Sequence, residues 1–380
     1  MSKRNIFIAL PVTGEDEWQA VREPLMSGWL TQGPKVAAFE AAFAARHNAS
    51  HALAATSCTT ALHLILAAMG IGPGDEVIVP AFTWVATANV VLYCGATPVF
   101  VDVDRATFNL DPDCLKAKLS PRTRAIIAVH LFGLCADIDA IEQAAPGTPI
   151  IEDAACAAGA SYLGRSAGVL GKAAAFSFHP RKSITTGEGG MVTTKDAALA
   201  ETVNMLRNHG ASVSEEQRHL GPRPYILPDF NLIGFNYRMT DLQGAVGLAQ
   251  LNKLDRFIAE RQKWADYYVQ ELASVEWLRT PVTPEGYGHG WQSFVCYVDE
   301  GRSPMARNEI MQVLQDRGIS TRPGTHAVHM LALYRQKYGL APDDYPAARD
   351  CDQFSMAIPL HNRMSAEDYA YVVAALRDLR

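Results

Sequence analysis

One lysine stands in the run AAAFSFHPRKSITTGEGGMVTT, residues 173–194, and its surroundings suit an amine nucleophile. Lys182 follows an apolar strand predicted over Ala173–Phe178, just past a break at His179-Pro180. A turn rich in Thr and Gly, Thr185–Gly190, leads into a second strand, Met191–Thr194. Ligands of open α/β sheets gather outside the carboxyl ends of the strands. Phe176, Phe178 and Ile184 shield the amine, so its expected pKa is depressed and the amine nucleophilic. As an ordinary loop lysine beside Arg181 it would instead stay solvated.

Other residues could complete such a site. Thr56-Ser57-Cys58-Thr59-Thr60 joins a predicted strand to a predicted helix, so its hydroxyls and free N–H groups form either a plain cap or an anion site. Trp84 either packs in a core or stacks on a planar ligand. Asp153 ends the strand PIIED, where its carboxylate either caps a helix or holds a protonated ring nitrogen. Ser177 and His179 flank the break before Lys182 and serve either a turn or a ligand. Together they supply what pyridoxal phosphate requires. The amine forms the Schiff base, a helix N-terminus takes the phosphate, an aromatic plate covers the ring, and an acid keeps the pyridine nitrogen protonated.

Composition narrows the alternatives. The chain has 380 residues with a net charge of −6, which gives nucleic acid or an acidic membrane no basic field to meet. Seven cysteines are scattered without a CxxC pair, so neither a disulfide framework nor a zinc site is expected. The apolar run Ile6–Leu10 is too short for a signal-peptide core, and no stretch reaches the ~18 apolar residues that span a bilayer. A cytoplasmic location is expected.

The elements that position the site come next. After helices predicted over 15–26 and 35–46, strands alternate with helices: strand 51–56, helix 59–69, strand 76–79, helix 82–93, strand 98–103, helix 111–119, strand 125–131, helix 137–145 and strand 149–152. Strands that are apolar on both faces and separated by helices specify a doubly wound, mostly parallel α/β sheet. A helix over 197–208, a long polar loop over 209–230 and a helix over 236–259 follow. Strands 294–298 and 318–321 with helices 307–316 and 366–379 then suggest a smaller α+β unit. The expected division is a large domain over 1–256 and a small one over 257–380.

Seven stretches carry a family resemblance. They are GWLTQGPKVAAFE, GIGPGDEVIVPAFTWVATANVV, ATPVFVDVD, IIEDAACAAGASYLG, FSFHPRKSITTGEGGMV, LRNHG and GFNYRMTDLQGAVGLAQL, within residues 28–251. The chain resembles the DegT–StrS type of sugar aminotransferases, among the fold-type I pyridoxal phosphate enzymes. The resemblance implies that Lys182 is the Schiff-base lysine and Asp153 the pyridinium partner. It assigns the phosphate to Ser57, the backbone of Cys58 and Thr59, and Ser177, and ring stacking to Trp84. Asn236, in the NYRM stretch, would reach the phosphate of a neighbouring subunit, which implies a homodimer with shared sites. Cys156 and Ala158 depart from the family's DAAQAHGA, which carries Gln and His there, and Cys156 meets the cofactor ring. His326, His329 and Tyr334 lie near the place where relatives meet a sugar nucleotide; core or turn roles fit them equally. The implied reaction moves an amino group from glutamate to a keto-sugar, foremost a nucleotide-linked 4-keto-6-deoxy sugar. A 3-keto-sugar or a cyclitol is the alternative acceptor. A sugar dehydratase, or a non-catalytic regulator, is the competing reading.

Overall fold

The computed structural model describes residues 4–212, 225 and 227–379. The strands run β1 (His51–Ala55), β2 (Glu76–Pro80), β3 (Phe82–Thr83), β4 (Thr97–Val101), β5 (Thr123–Val129), β6 (Ile150–Asp153), β7 (Ser161–Tyr162), β8 (Arg165–Ser166), β9 (Ala173–Ser177) and β10 (Gly190–Thr194). Seven of them form one sheet in the order β1-β10-β9-β6-β5-β2-β4. All neighbours are parallel except β10, which runs antiparallel to both β1 and β9. A parallel partner needs a crossover long enough to turn the chain round. Only the turn 178–189 separates β9 from β10, so the two pair as a hairpin with Lys182 between them. Two reversals cancel, and the carboxyl ends of β1, β6 and β9 therefore share one edge.

Side-chain alternation explains why these strands read as apolar throughout. Along β5, Ala125, Ile127 and Val129 enter one core, while Ile126 and Ala128 enter the other. Helices α1 (Glu15–Ser27), α2 (Pro34–His47), α3 (Cys58–Ala68), α4 (Ala86–Tyr93), α5 (Pro112–Leu115), α6 (Ile138–Ala144) and α7 (Ala197–Arg207) precede α8 (Asp241–Leu251) and α9 (Leu254–Leu272).

Three helix expectations change. Phe82 and Thr83 do not begin a helix; they form β3 and pair with β14 (His326–Ala327). The helix expected from Asn236 starts at Asp241, because Thr240 accepts from the N–H of Gln243 and the Gln243 side chain accepts from the N–H of Thr240. It also breaks at Asn252–Lys253 before α9. The helix expected over 111–119 is α only to Leu115, with Asp111 as its cap. Residues 213–224 and 226 of the expected polar loop lie outside the described residues.

Helix α9 spans two cores. Leu254 and Phe257 pack under the large sheet, while Ala265, Tyr268 and Leu272 pack in a third core around β11 (Leu278–Arg279), β13 (Phe294–Val298) and β15 (Ser355–Ile358). The strand expected over 318–321 is only a bridge, with Ile319 parallel to Ile6.

The frame closes through one carboxylate. Asp241 Oδ1 accepts from the N–H groups of Gly33 (2.9 Å) and Val36 (3.0 Å), and Oδ2 from that of Lys35 (3.1 Å). It thus caps α2 from a position some 200 residues along the chain. Gly244 and Gly247 let the helices touch: a Cβ on Gly244 would lie 2.7 Å from Val36 N, and one on Gly247 2.5 Å from the Phe39 ring. Asp241→Ala strands three poorly hydrated N–H groups and is expected to cost about 3 kcal/mol, read as a lower urea midpoint.

Buried Glu17 adds a pH term. Burial raises its carboxyl pKa, but hydrogen bonds from Lys253, Gln250 and the Gly14 N–H outweigh that, and the net shift is downward from 4.5. A depressed folded-state pKa contributes stability above the unfolded value and loses it as pH falls through the folded one. The protein should therefore lose stability below pH 4.5, and Glu17→Gln should flatten that part of a thermal-melt pH series.

Candidate active site

At the end of β1 the chain turns into α3, and Ser57 caps the helix by accepting from the N–H of Thr60 at 3.1 Å. Thr60 answers through Oγ1, which accepts from the N–H of Ser57 and donates to its carbonyl. Helix geometry leaves the N–H groups of Cys58 and Thr59 without an intrahelical acceptor, pointing out of the helix end. A dianion suits that place. Gly190, at the start of β10, closes over the turn: a Cβ there would lie 2.3 Å from the Ser57 carbonyl and 2.6 Å from Cys58 N. Ser177, paired with Gly190 across the hairpin, lies at the same edge.

Asp153 ends β6 and is buried. Thr87 Oγ1 donates to its Oδ2 at 2.8 Å, and the N–H of Ala155 donates to Oδ1 at 3.2 Å. The Cys58 thiol lies 3.8 Å from Oδ1 and 3.4 Å from the Ala175 carbonyl. Burial, and then the Asp153 charge, push that thiol pKa well up. The β1–α3 turn and the β6 acid are thereby held side by side.

Lys182 reaches the same space from the β9–β10 hairpin. Its Nζ donates to Cys156 Sγ at 3.1 Å. The depressed pKa expected for this amine is not what the structure gives. Burial does lower it, but the contact and hydrogen bond with Cys156 and the nearby Asp153 carboxylate raise it more, and the net shift is upward. The hairpin is held firmly. Thr185 Oγ1 and the Thr186 N–H both donate to the Phe178 carbonyl. Gln243 on α8 donates to the Glu188 carbonyl at 2.6 Å, and Gln292 to the Arg181 carbonyl at 2.8 Å.

Trp84 follows β3 and is 61% exposed, so it is not packed in a core. The β3–β14 pairing sets His326 beside it, with ring centroids 5.7 Å apart. His329 and Tyr334 stand elsewhere: both are fully buried. His329 donates from Nε2 to the Pro342 carbonyl at 3.2 Å, and the Tyr334 hydroxyl donates to Asn89 at 2.7 Å. They are core residues, and their apolar helical setting in VHMLALY is the reason. Asn236 is exposed, on an extended segment that bridges Asn208. His179 is spent on the turn, where Nδ1 accepts from the Arg181 N–H.

Sequence reasoning missed the support behind Asp153. Glu152 points to the opposite face of the sheet and is fully buried with His130. Its carboxylate accepts from the N–H groups of Gly168 (2.7 Å), Leu170 (2.8 Å) and Gly171 (2.8 Å) and from His130 Nε2 at 2.9 Å. Because His130 Nδ1 accepts from the Ala136 N–H, the ring proton sits on Nε2 and faces Glu152. Adjacent acids in an otherwise apolar strand were the available signal. Thr87, one turn of helix past Trp84, gave none.

A donor set of this kind fits pyridoxal phosphate: an amine, a buried acid with its own donors, a capped helix end roofed by glycine, and an exposed tryptophan. A family model described as the DegT/DnrJ/EryC1/StrS aminotransferase family matches residues 11–377. The chain is 42% identical over 375 residues to GDP-perosamine synthase of Caulobacter vibrioides, covering 98% of this chain and 97% of that one. It is 40% identical over 384 residues to the spore coat polysaccharide biosynthesis protein SpsC of Bacillus subtilis, covering 100% and 98%. Among solved structures it is similar to the PLP form of a putative sugar aminotransferase, Spr1654, from Streptococcus pneumoniae, with a TM-score of 0.91, 29% identity, and coverage of 99% and 98%.

Glu152→Gln keeps the shape but turns amide hydrogens toward backbone N–H groups, leaving some of them unpaired. An expected loss of about 2–3 kcal/mol would appear as a lower denaturation midpoint.

Proposed function

The chain belongs to the DegT/DnrJ/EryC1/StrS aminotransferase family, and from that premise we propose that it transfers the amino group of glutamate to a nucleotide-linked 4-keto-6-deoxy sugar. The observation that carries this reading is the meeting of Lys182, Asp153 and the Ser57 turn at one edge of the sheet. Lys182 holds the cofactor covalently through Nζ. Asp153 keeps the pyridine nitrogen protonated, with Thr87 and the Ala155 N–H fixing its orientation. Ser57, the N–H groups of Cys58 and Thr59, and Ser177 bind the phosphate. Trp84 would stack on the ring, and Cys156, in contact with Lys182, would meet the cofactor. When bound, pyridoxal phosphate supplies an electron sink for the carbanion at the donor's α-carbon. Freed Lys182 Nζ takes the α-proton as general base and later gives a proton up as general acid.

The likeness to GDP-perosamine synthase supports a nucleotide-linked acceptor. The contact of His326 with Trp84 supports a role for His326 in meeting that acceptor. A 3-keto-sugar or cyclitol acceptor is the second reading, and a dehydratase is disfavoured by the lysine at position 182.

We also propose a homodimer with shared sites. Asn236 is exposed, and the segment around it exposes Leu227, Phe230, Leu232 and Ile233, with Ile233 at 94%. Among the described residues no helix is long and apolar enough to cross a membrane. With all seven cysteines free, a reducing cytoplasmic setting fits the enzyme.

The acceptor is tested by converting the protein to its amino form with glutamate and screening keto-sugar nucleotides. Return of the visible absorbance of the lysine-linked cofactor marks an acceptor, and no return with any sugar nucleotide overturns the reading. Lys182→Ala should lack that absorbance and all transfer.

Shared sites are tested by mixing inactive Lys182→Ala with impaired Asn236→Ala. Subunit exchange puts both lesions in one site of each mixed dimer and leaves the other intact, so about a quarter of wild-type activity should appear. Sites built from a single subunit would show no such recovery.

A further inference from the structure

We propose that Cys156 and Lys182 form an oxidisable pair, a modification site at which a hydroperoxide joins the two side chains through a sulfur–nitrogen bond. The contact is direct, with Nζ 3.1 Å from Sγ. Both groups sit on constrained backbone. Cys156 lies in a tight turn closed by Ala157 N–H to the Ala154 carbonyl, and a second turn, Ala160 N–H to the Ala157 carbonyl, follows directly, each bond 2.9 Å. Lys182 closes its own turn by donating its N–H to the His179 carbonyl at 2.8 Å. Only side-chain torsions have to change for the atoms to meet.

Access selects Cys156 among the neighbouring thiols. It is partly exposed, whereas Cys58 is buried and engaged with Asp153 and the Ala175 carbonyl. Oxidation follows exposure and thiolate character, and burial together with Asp153 pushes the Cys58 thiol pKa up. Cys156 is thus the sulfur that meets an oxidant entering the site.

The chemistry balances in two steps. The Cys156 sulfur displaces alcohol or water from the hydroperoxide, becoming a sulfenic acid while the O–O bond is reduced. The unprotonated fraction of the Lys182 amine then attacks that sulfur, forming S–N and releasing water. The net change is the loss of two hydrogens from the protein. Two equivalents of a small thiol reverse it, restoring the thiol and the amine and leaving a disulfide of the reductant.

The step needs an uncommitted amine, so its timing rests on the function proposed above. With Lys182 carrying pyridoxal phosphate the pair is protected, and glutamate, by releasing the amine, exposes it. The oxidised link would therefore record turnover in the presence of peroxide.

The test treats the full-length protein with hydrogen peroxide, with and without glutamate, records its visible absorbance, and maps peptides without reductant. The expected product joins the peptides containing Cys156 and Lys182 at their summed mass less two hydrogens. It should persist in Cys58→Ala, be absent in Cys156→Ser, and disappear with dithiothreitol as activity returns. Formation only after glutamate agrees with the cofactor reading. Equal formation in both samples, with no visible absorbance, keeps the pair but overturns that reading. The pair itself is overturned by a Cys58–Cys156 disulfide, by Cys156 sulfinic acid without a link, or by a link that retains the peroxide oxygen.

Discussion

Two neighbouring carboxylates at the end of β6 face opposite sides of the sheet, and the site depends on both. Among the described residues no Lys or Arg side chain bonds to buried Glu152; three backbone N–H groups and His130 satisfy its carboxylate instead. Burying a carboxylate is costly unless its lone pairs are satisfied. Here the satisfaction fixes the loop 168–171 and the end of β5 against β6. Asp153 inherits that rigidity on the other face, where it has fewer donors. A single strand end thus carries one acid that builds the frame and, on the other face, the acid that the proposed reaction would use.

The same division recurs around the pocket. The Ser57 cap and the Gly190 roof meet at backbone distances no side chain could share. The hairpin bearing Lys182 is tied to α8 by Gln243 and to the segment before β13 by Gln292. Helix α8 is in turn tied to α2 by Asp241, Gly244 and Gly247. The lysine therefore stands on a chain of contacts that runs back to residues 33–36.

Much of this was legible from the residues because its signals are local. Apolar strands, capping residues and the Thr-Gly turn depend on near neighbours, and they located the sheet, α3 and the Lys182 hairpin. What failed depended on distant partners. Phe82 and Thr83 have helical neighbours, yet β14, more than 240 residues later, supplies the pairing that makes them a strand. Asp241 looks like an ordinary first-turn acid, and its second role as the cap of α2 is visible only in three dimensions. His329 and Tyr334 sit in a stretch whose polar atoms suggest a site, but both side chains are buried and bond to the Pro342 carbonyl and to Asn89. The direction of the Lys182 shift was also hidden, because burial alone predicts one sign and the sulfur and carboxylate neighbours give the other.

The pairing of β3 with β14 has a further bearing. It is only two residues long on each side, yet it sets Trp84 beside His326. The indole is thus a joint product of the first hundred residues and the last sixty. If homologous C-terminal segments were exchanged between relatives, the graft would carry its own edge for that indole to lean on. The setting of Trp84 would then follow the segment it met, so a chimera joined within α9 would exchange the Trp84–His326 contact as a unit.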